Sequence, residues 1–170
     1  MTTLKGVDPY AAAEGRLDAL FAGTRDLQAL YDGVCRILNE AVPTHNWVGI
    51  YLVEGEELAL AAWRGPAPTE HVRIPLGQGI CGAAATSGET IVVDDVNADP
   101  RYLACFLNTR AEIVVPIKDA NGRVWGEIDV DSDHRGAFGP ADHALLEAVA
   151  ARLAERISWG SAGGSTAAGD

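Results

Sequence analysis

The sequence has no apolar run approaching the roughly 20 residues that a bilayer-spanning helix needs. Its N-terminal stretch, MTTLKGVDPYAAAEG, lacks the basic start and apolar core of a secretory signal. Basic residues are scarce: 13 Lys and Arg stand against 24 Asp and Glu, a formal net charge of -11. Such a surface disfavours duplex DNA and anionic membranes, both polyanions, and leaves a small cationic or zwitterionic ligand open. Cysteine is sparse as well. Cys35, Cys81 and Cys105 do not make the dense, even pattern of a secreted disulfide scaffold. Together these absences point to the cytoplasm.

Several chemistries are missing their signatures. No G-x-S-x-G elbow supports a serine triad. The glycines of GQGICG (77–82) have the wrong spacing for a dinucleotide fingerprint, and no parallel βαβ unit follows them. His45, His71, His134 and His143 are scattered without zinc spacing. With no calcium-loop pattern either, a dedicated metal is not expected. There is no internal repeat.

What is present is one globular domain. The 170 residues are 48% hydrophobic and 22% charged, as expected of a domain with its own core. Its expected span is 1–158, with 159–170 a disordered tail. Residues 9–22 and 24–41 read as helices, the second with Leu27, Leu30, Tyr31, Val34, Ile37 and Leu38 on one stripe. Strands at 46–53 and 57–63 flank a tight turn, and a short strand follows at 71–75. GQGICGAAATSG opens a small-residue helix at 80–87. A short strand at 90–93 precedes a long irregular segment, 94–110, of the kind that is usually functional in a compact domain. The clearest element is the hairpin 111–117/123–131 around Asn121-Gly122. A helix at 140–158 closes the chain. Hairpins in place of βαβ repeats give an α+β fold: a central antiparallel sheet flanked by N-terminal and C-terminal helices.

That hairpin segregates its side chains. With Asn121-Gly122 as a two-residue turn, Ala120 pairs with Arg123, Glu112 faces Asp131, Val114 faces Asp129 and Pro116 faces Glu127. A four-residue turn would set Glu112 opposite Asp129 instead. Either register puts the acids on one face and Ile113, Val115, Ile117, Val124, Ile128 and Val130 on the other. The plain reading of the acid face is a solvated surface. Like charges opposed across strands are destabilising, though, by a few tenths to about 1 kcal/mol. The face also carries no interleaved Lys or Arg, so it suits a bound ammonium group, an oxygen-liganded metal or a shared proton, the metal being the least favoured.

The thiols differ in setting. Cys35 falls in the apolar stripe of its helix and reads as structural. Cys81 falls in the first turn of the helix opened by Gly77-Gln78-Gly79, where free amides favour a thiolate; its plain alternative is a small buried residue. Cys105, in RYLACFLNTR, is either a loop nucleophile near Arg101 and Arg110 or an apolar anchor beside Leu103 and Phe106.

The ordered set NWVGIYL, VRIPLGQGICGAAA, VVDDV, YLAC, EIVVPI and IDVDS resembles the GAF-domain free methionine-(R)-sulfoxide reductases over about residues 25–157. The resemblance implies a GAF fold. It also implies a catalytic cysteine in the AC motif, Cys105, that attacks the sulfoxide sulfur and becomes a sulfenic acid. A resolving thiol then forms a disulfide that thioredoxin, fed by NADPH, reduces from outside, so no cofactor is bound. Cys81 matches the G-x-C-G motif and is assigned as that resolving thiol; direct attack by a thiol reductant is the alternative. The family's further cysteine ahead of the VRIP strand is here His71. Glu112, Asp129 and Asp131 match the family's acids and would hold the ammonium group and supply a proton. Trp47, Tyr51 and Trp63 would wall the apolar part of the pocket. GAF domains also pair through terminal helices, which implies a homodimer. The competing function is a non-catalytic GAF module that binds a small ligand and regulates a partner protein.

Overall fold

The computed structural model describes residues 6–104, 106 and 108–162. Two helices, α1 (Pro9–Gly23) and α2 (Leu27–Ala41), precede the strands β1 (Trp47–Glu54), β2 (Glu57–Arg64) and β3 (Arg73–Pro75). Helix α3 (Gly79–Ser87) and strand β4 (Ile91–Val93) follow. A 3-10 turn at Val96–Ala98 leads to strands β5 (Ala111–Lys118) and β6 (Val124–Ser132) and helix α4 (Pro140–Ala162). The six strands form one antiparallel sheet in the order β3-β2-β1-β6-β5-β4, so the α+β expectation holds.

Local chemistry sets the helix limits. Asp8 caps α1 by accepting from the Tyr10 amide at 3.0 Å, with Pro9 at the first helical position. Asp26 caps α2 by accepting from the Ala29 amide at 2.8 Å. Helix α4 runs to Ala162, so residues 159–162 are helical where a tail was expected. Residues 163–170 lie outside the described part.

Strand alternation sorts two cores onto the two sheet faces. Val48 and Ile50 of β1, Ile113, Val115 and Ile117 of β5, and Ile128 and Val130 of β6 pack under α1, α2 and α4. Cys35 is buried among them, as expected of a structural thiol. The opposite face, with Trp47, Tyr51 and Val114, packs against α3 and the segment around Tyr102 and Phe106.

The hairpin register equals the expected one by a different route. Asp119, not Ala120, pairs with Arg123, its amide donating to the Arg123 carbonyl at 3.0 Å, and Gly122 closes the turn at φ +84. That three-residue loop shifts the pairing by one, and a bulge at Trp125 shifts it back. Glu112 therefore opposes Asp131, Val114 opposes Asp129 and Pro116 opposes Glu127.

The helical layer is pinned by a buried polar cluster. Asp142, in the first turn of α4, accepts from the Gly139 amide at 2.9 Å, the reach-back half of a capping box. Its other oxygen receives His45 Nε2 at 2.8 Å and the Tyr10 hydroxyl at 3.1 Å. Burial pushes the Asp142 carboxyl up, but hydrogen bonds from His45, Gly139 and Tyr10 and the His45 charge outweigh it, and the group lies below its ordinary range. A carboxyl depressed on folding stabilises above its unfolded pKa and loses that contribution as pH falls through the folded one. Asp142→Asn is therefore expected to cost about 1.5–3 kcal/mol at pH 7, the worth of hydrogen bonds to a charged group. Urea titrations should show the deficit narrowing as pH falls below the ordinary carboxylate range.

Candidate functional site

The acid face of the hairpin is not solvated. Glu112, Glu127, Asp129 and Asp131 are exposed by only 5%, 0%, 1% and 3%. Helix α3 with Leu103 and Phe106 covers it, and β1 continues it: Trp47 lies opposite Asp131, Gly49 opposite Asp129 and Tyr51 opposite Glu127. Gly49 is required by close approach, because a Cβ there would sit 2.3 Å from the Trp47 indole. The missing side chain lets that ring lie along the strand beside the acids.

Two small clefts open along this row. The first is lined by His71, Ile74, Gly79, Ile80, Cys81, Leu103, Glu112 and Asp129. The second, of similar size, holds Asp131 with Asn46, Trp47, Pro66, Phe106 and Thr109. Trp47 meets Phe106 at a ring separation of 5.9 Å on one side and stacks on Trp63 at 6.4 Å on the other. Trp63 is 38% exposed and lines neither cleft. Tyr51 lies beneath the row, its hydroxyl donating to the His71 carbonyl at 2.8 Å. His71 Nε2 sits 3.2 Å from the Ala104 carbonyl, and since a carbonyl only accepts, that nitrogen carries the hydrogen. Cys105 lies outside the described residues; its chain neighbours Ala104 and Phe106 are the groups that meet His71 and Trp47.

Cys81 departs from the expected thiolate. It is the third residue of α3, with its thiol directed at the sheet, 3.4 Å from Asp129 Oδ2 and 3.8 Å from Glu112 Oε1. Burial pushes this thiol well above its ordinary value, and the charges of Asp129, Glu127 and Glu112 add to the rise. Burial, with carboxylates at contact distance, thus outweighs the helix N-terminus.

The carboxyls move the same way. Burial pushes Asp129 up to about 6, against the lowering effect of hydrogen bonds from Glu112 and Cys81. Burial likewise raises Asp131 and Glu127 well above their ordinary values, with the Asp129 charge contributing to both. Neither Asp131 oxygen meets a donor among the described residues, nor does Asp129 Oδ1. Glu127 was not singled out from sequence as a site residue. The signal was available, since 127, 129 and 131 alternate onto one face.

A row of buried carboxyls holds protons that the unfolded chain releases. For Asp129 the folded state binds the extra proton between about 4 and 6, so stability falls as pH rises through that window. Asp129→Asn is expected to remove this slope. Relative to wild type, the variant should gain on the order of 1–3 kcal/mol on moving from pH 4 to pH 8, read from urea midpoints.

Comparison with known proteins agrees with this architecture. A family model described as GAF domain matches residues 26–157. Protein YtsP of Bacillus subtilis is 34% identical over 146 residues, covering 84% of this chain and 87% of that protein. Free methionine-R-sulfoxide reductase of Escherichia coli is 32% identical over 144 residues, covering 85% and 86% respectively. The X-ray structure of free methionine-R-sulfoxide reductase from Neisseria meningitidis, in complex with its substrate, superposes with a TM-score of 0.80 at 36% identity. That match covers 92% of this chain and 94% of the other. On the span of these matches and on its six-stranded sheet with flanking helices, the chain belongs to the GAF domain family.

Proposed function

We propose that the protein reduces free L-methionine-(R)-sulfoxide to methionine, with Cys105 as the nucleophile. The observation that carries this reading is the buried row Glu112–Asp129–Asp131 opening into clefts walled by Trp47, Phe106 and Leu103. A zwitterionic amino acid with a polar sulfoxide and a short apolar stem needs both kinds of wall. Relatives named for this activity share most of the chain's length.

The carboxyls have two tasks. An ionised member of the row holds the substrate ammonium by charge-assisted hydrogen bonds. Asp129, pushed up to about 6, is poised to donate a proton to the departing sulfoxide oxygen. In the first step the Cys105 sulfur attacks the substrate sulfur, the S–O bond breaks, and the oxygen leaves on Cys105 as a sulfenic acid. Methionine is released. A second thiol then displaces water from the sulfenic acid to form a disulfide, and thioredoxin, kept reduced by NADPH, returns both thiols.

Cys81 is the proposed resolving thiol, and its setting makes that step slow until it loses its proton. Burial and the nearby carboxylates hold the thiol protonated, and only the thiolate attacks. Their neutralisation, by proton transfer or by product, would release it.

Stereoselective turnover tests the proposal. Consumption of the (R) epimer and not the (S), coupled to NADPH oxidation through thioredoxin, is the expected result. Cys105→Ser is expected to abolish turnover; full activity in that variant would reassign the nucleophile. Cys81→Ser should retain activity with dithiothreitol and lose it with thioredoxin. Glu112→Gln should raise KM by about tenfold or more, the worth of a charged hydrogen bond. Silence with both reductants, with thermal stabilisation by a small ligand, would favour a binding module.

A further inference from the structure

The cluster around Cys81 has a geometry that a single thiol proton does not account for. One S–H can be donated to one oxygen, yet Asp129 Oδ2 and Glu112 Oε1 stand 3.4 and 3.8 Å from the sulfur. A donor atom from each of Cys81, Glu112 and Asp129 lies within 4.8 Å of the others, and all three residues are buried. In a tetrahedral zinc site, bonds of about 2.3 Å to sulfur and about 2.0 Å to oxygen put the S···O edge at about 3.5 Å. The observed edges bracket that value.

A second feature points to a cation. Glu127 is fully buried with the Cys81 thiol as its hydrogen-bonding neighbour, and no N–H or O–H among the described residues reaches either of its oxygens. Asp129 Oδ1 also meets no donor among the described residues. Three acids and a thiol thus converge without a salt-bridge partner for Glu127 or Asp129 among the described residues. Buried negative groups in such numbers call for protons or a metal.

We propose that Cys81, Glu112 and Asp129 bind a divalent cation of the zinc class, which competes with the small-molecule ligand for the cleft. A soft thiolate beside hard carboxylates selects zinc-like ions over calcium or magnesium. On binding, the S–H bond breaks, the proton leaves to solvent, and the sulfur–metal bond forms. The fourth position faces the cleft lined by His71 and Leu103 and is taken by water, an open site. Glu127, behind the thiol, supplies further negative charge. A metal there would also block Cys81 from resolving a sulfenic acid; that consequence rests on the reductase reading, whereas binding does not.

Cobalt titration of the reduced full-length chain tests the site directly. A near-ultraviolet thiolate-to-cobalt band, saturating at one equivalent and displaced by Zn²⁺, is expected, with the intense visible bands of tetrahedral cobalt. Cys81→Ser should abolish the thiolate band and Cys105→Ser should keep it. Glu112→Gln should weaken cobalt binding by about tenfold or more. Free methionine sulfoxide should shift the wild-type titration to higher cobalt. No band in the folded wild-type chain at millimolar cobalt overturns the proposal even if a variant fails to fold. So does a band that survives Cys81→Ser or vanishes in Cys105→Ser. A band indifferent to methionine sulfoxide overturns the competition while leaving the metal site standing, and so separates this proposal from the reductase reading.

Discussion

Four carboxyl groups buried on one sheet face, three of them on β6 and one on β5, are the constraint to which the rest of the structure answers. Charge without compensation is expensive in a low-dielectric interior, and groups placed there shift their pKa and hold protons instead. The fold meets that cost from the other face. There the same strands contribute Ile113, Val115, Ile117, Ile128 and Val130 to a core closed by three helices. Apolar burial of that extent supplies the stability that an unfavourable polar row withdraws. The division follows from strand alternation alone: no residue needs to serve both faces.

Around the row, each neighbour controls access or orientation. Gly49 makes room for the Trp47 ring, and Phe106 meets that ring from the other side of the cleft. Tyr51 ties the loop before β3 to the sheet through the His71 carbonyl. His71 in turn reaches Ala104. The cover of the cleft is thus linked to its floor by two hydrogen bonds and a ring contact. On the far side, Asp142 joins α4, the segment before β1 and α1 through one carboxyl group. The helical layer thus packs on one face of the sheet, and the acid row lies on the other.

Much of this was legible before the fold was seen. The alternation of Glu112, Asp129 and Asp131 against Ile and Val assigned their common face, and the stripe from Leu27 to Leu38 marked α2, although that helix, capped by Asp26, begins three residues after the expected start. Burial of the acids was not legible, because it depends on α3 and on Leu103 and Phe106, which come from an irregular segment with no period to read. The thiol of Cys81 shows the same limit more sharply. A helix-terminus argument is local, whereas the carboxylates that reverse it come from residues 31 and 48 positions away. Tyr51, Trp47 and Trp63 all have the right character for a pocket wall. Only pairing across β1 and β2 separates the one beside the acids from the one stacked outside it.

The bulge at Trp125 has a consequence for how this sequence can vary. The turn at Asp119–Arg123 and the apolar face of the hairpin demand registers that differ by one residue, and the bulge reconciles them close to the tip. Any residue gained or lost near the turn can be absorbed in the same place, before the ladder reaches the acids. Seven residues of strand, roughly 23 Å, separate Asp119 from Glu112. The tip is therefore free to drift in length and composition, or to accept a label or an inserted peptide, while the row beneath it keeps its alignment.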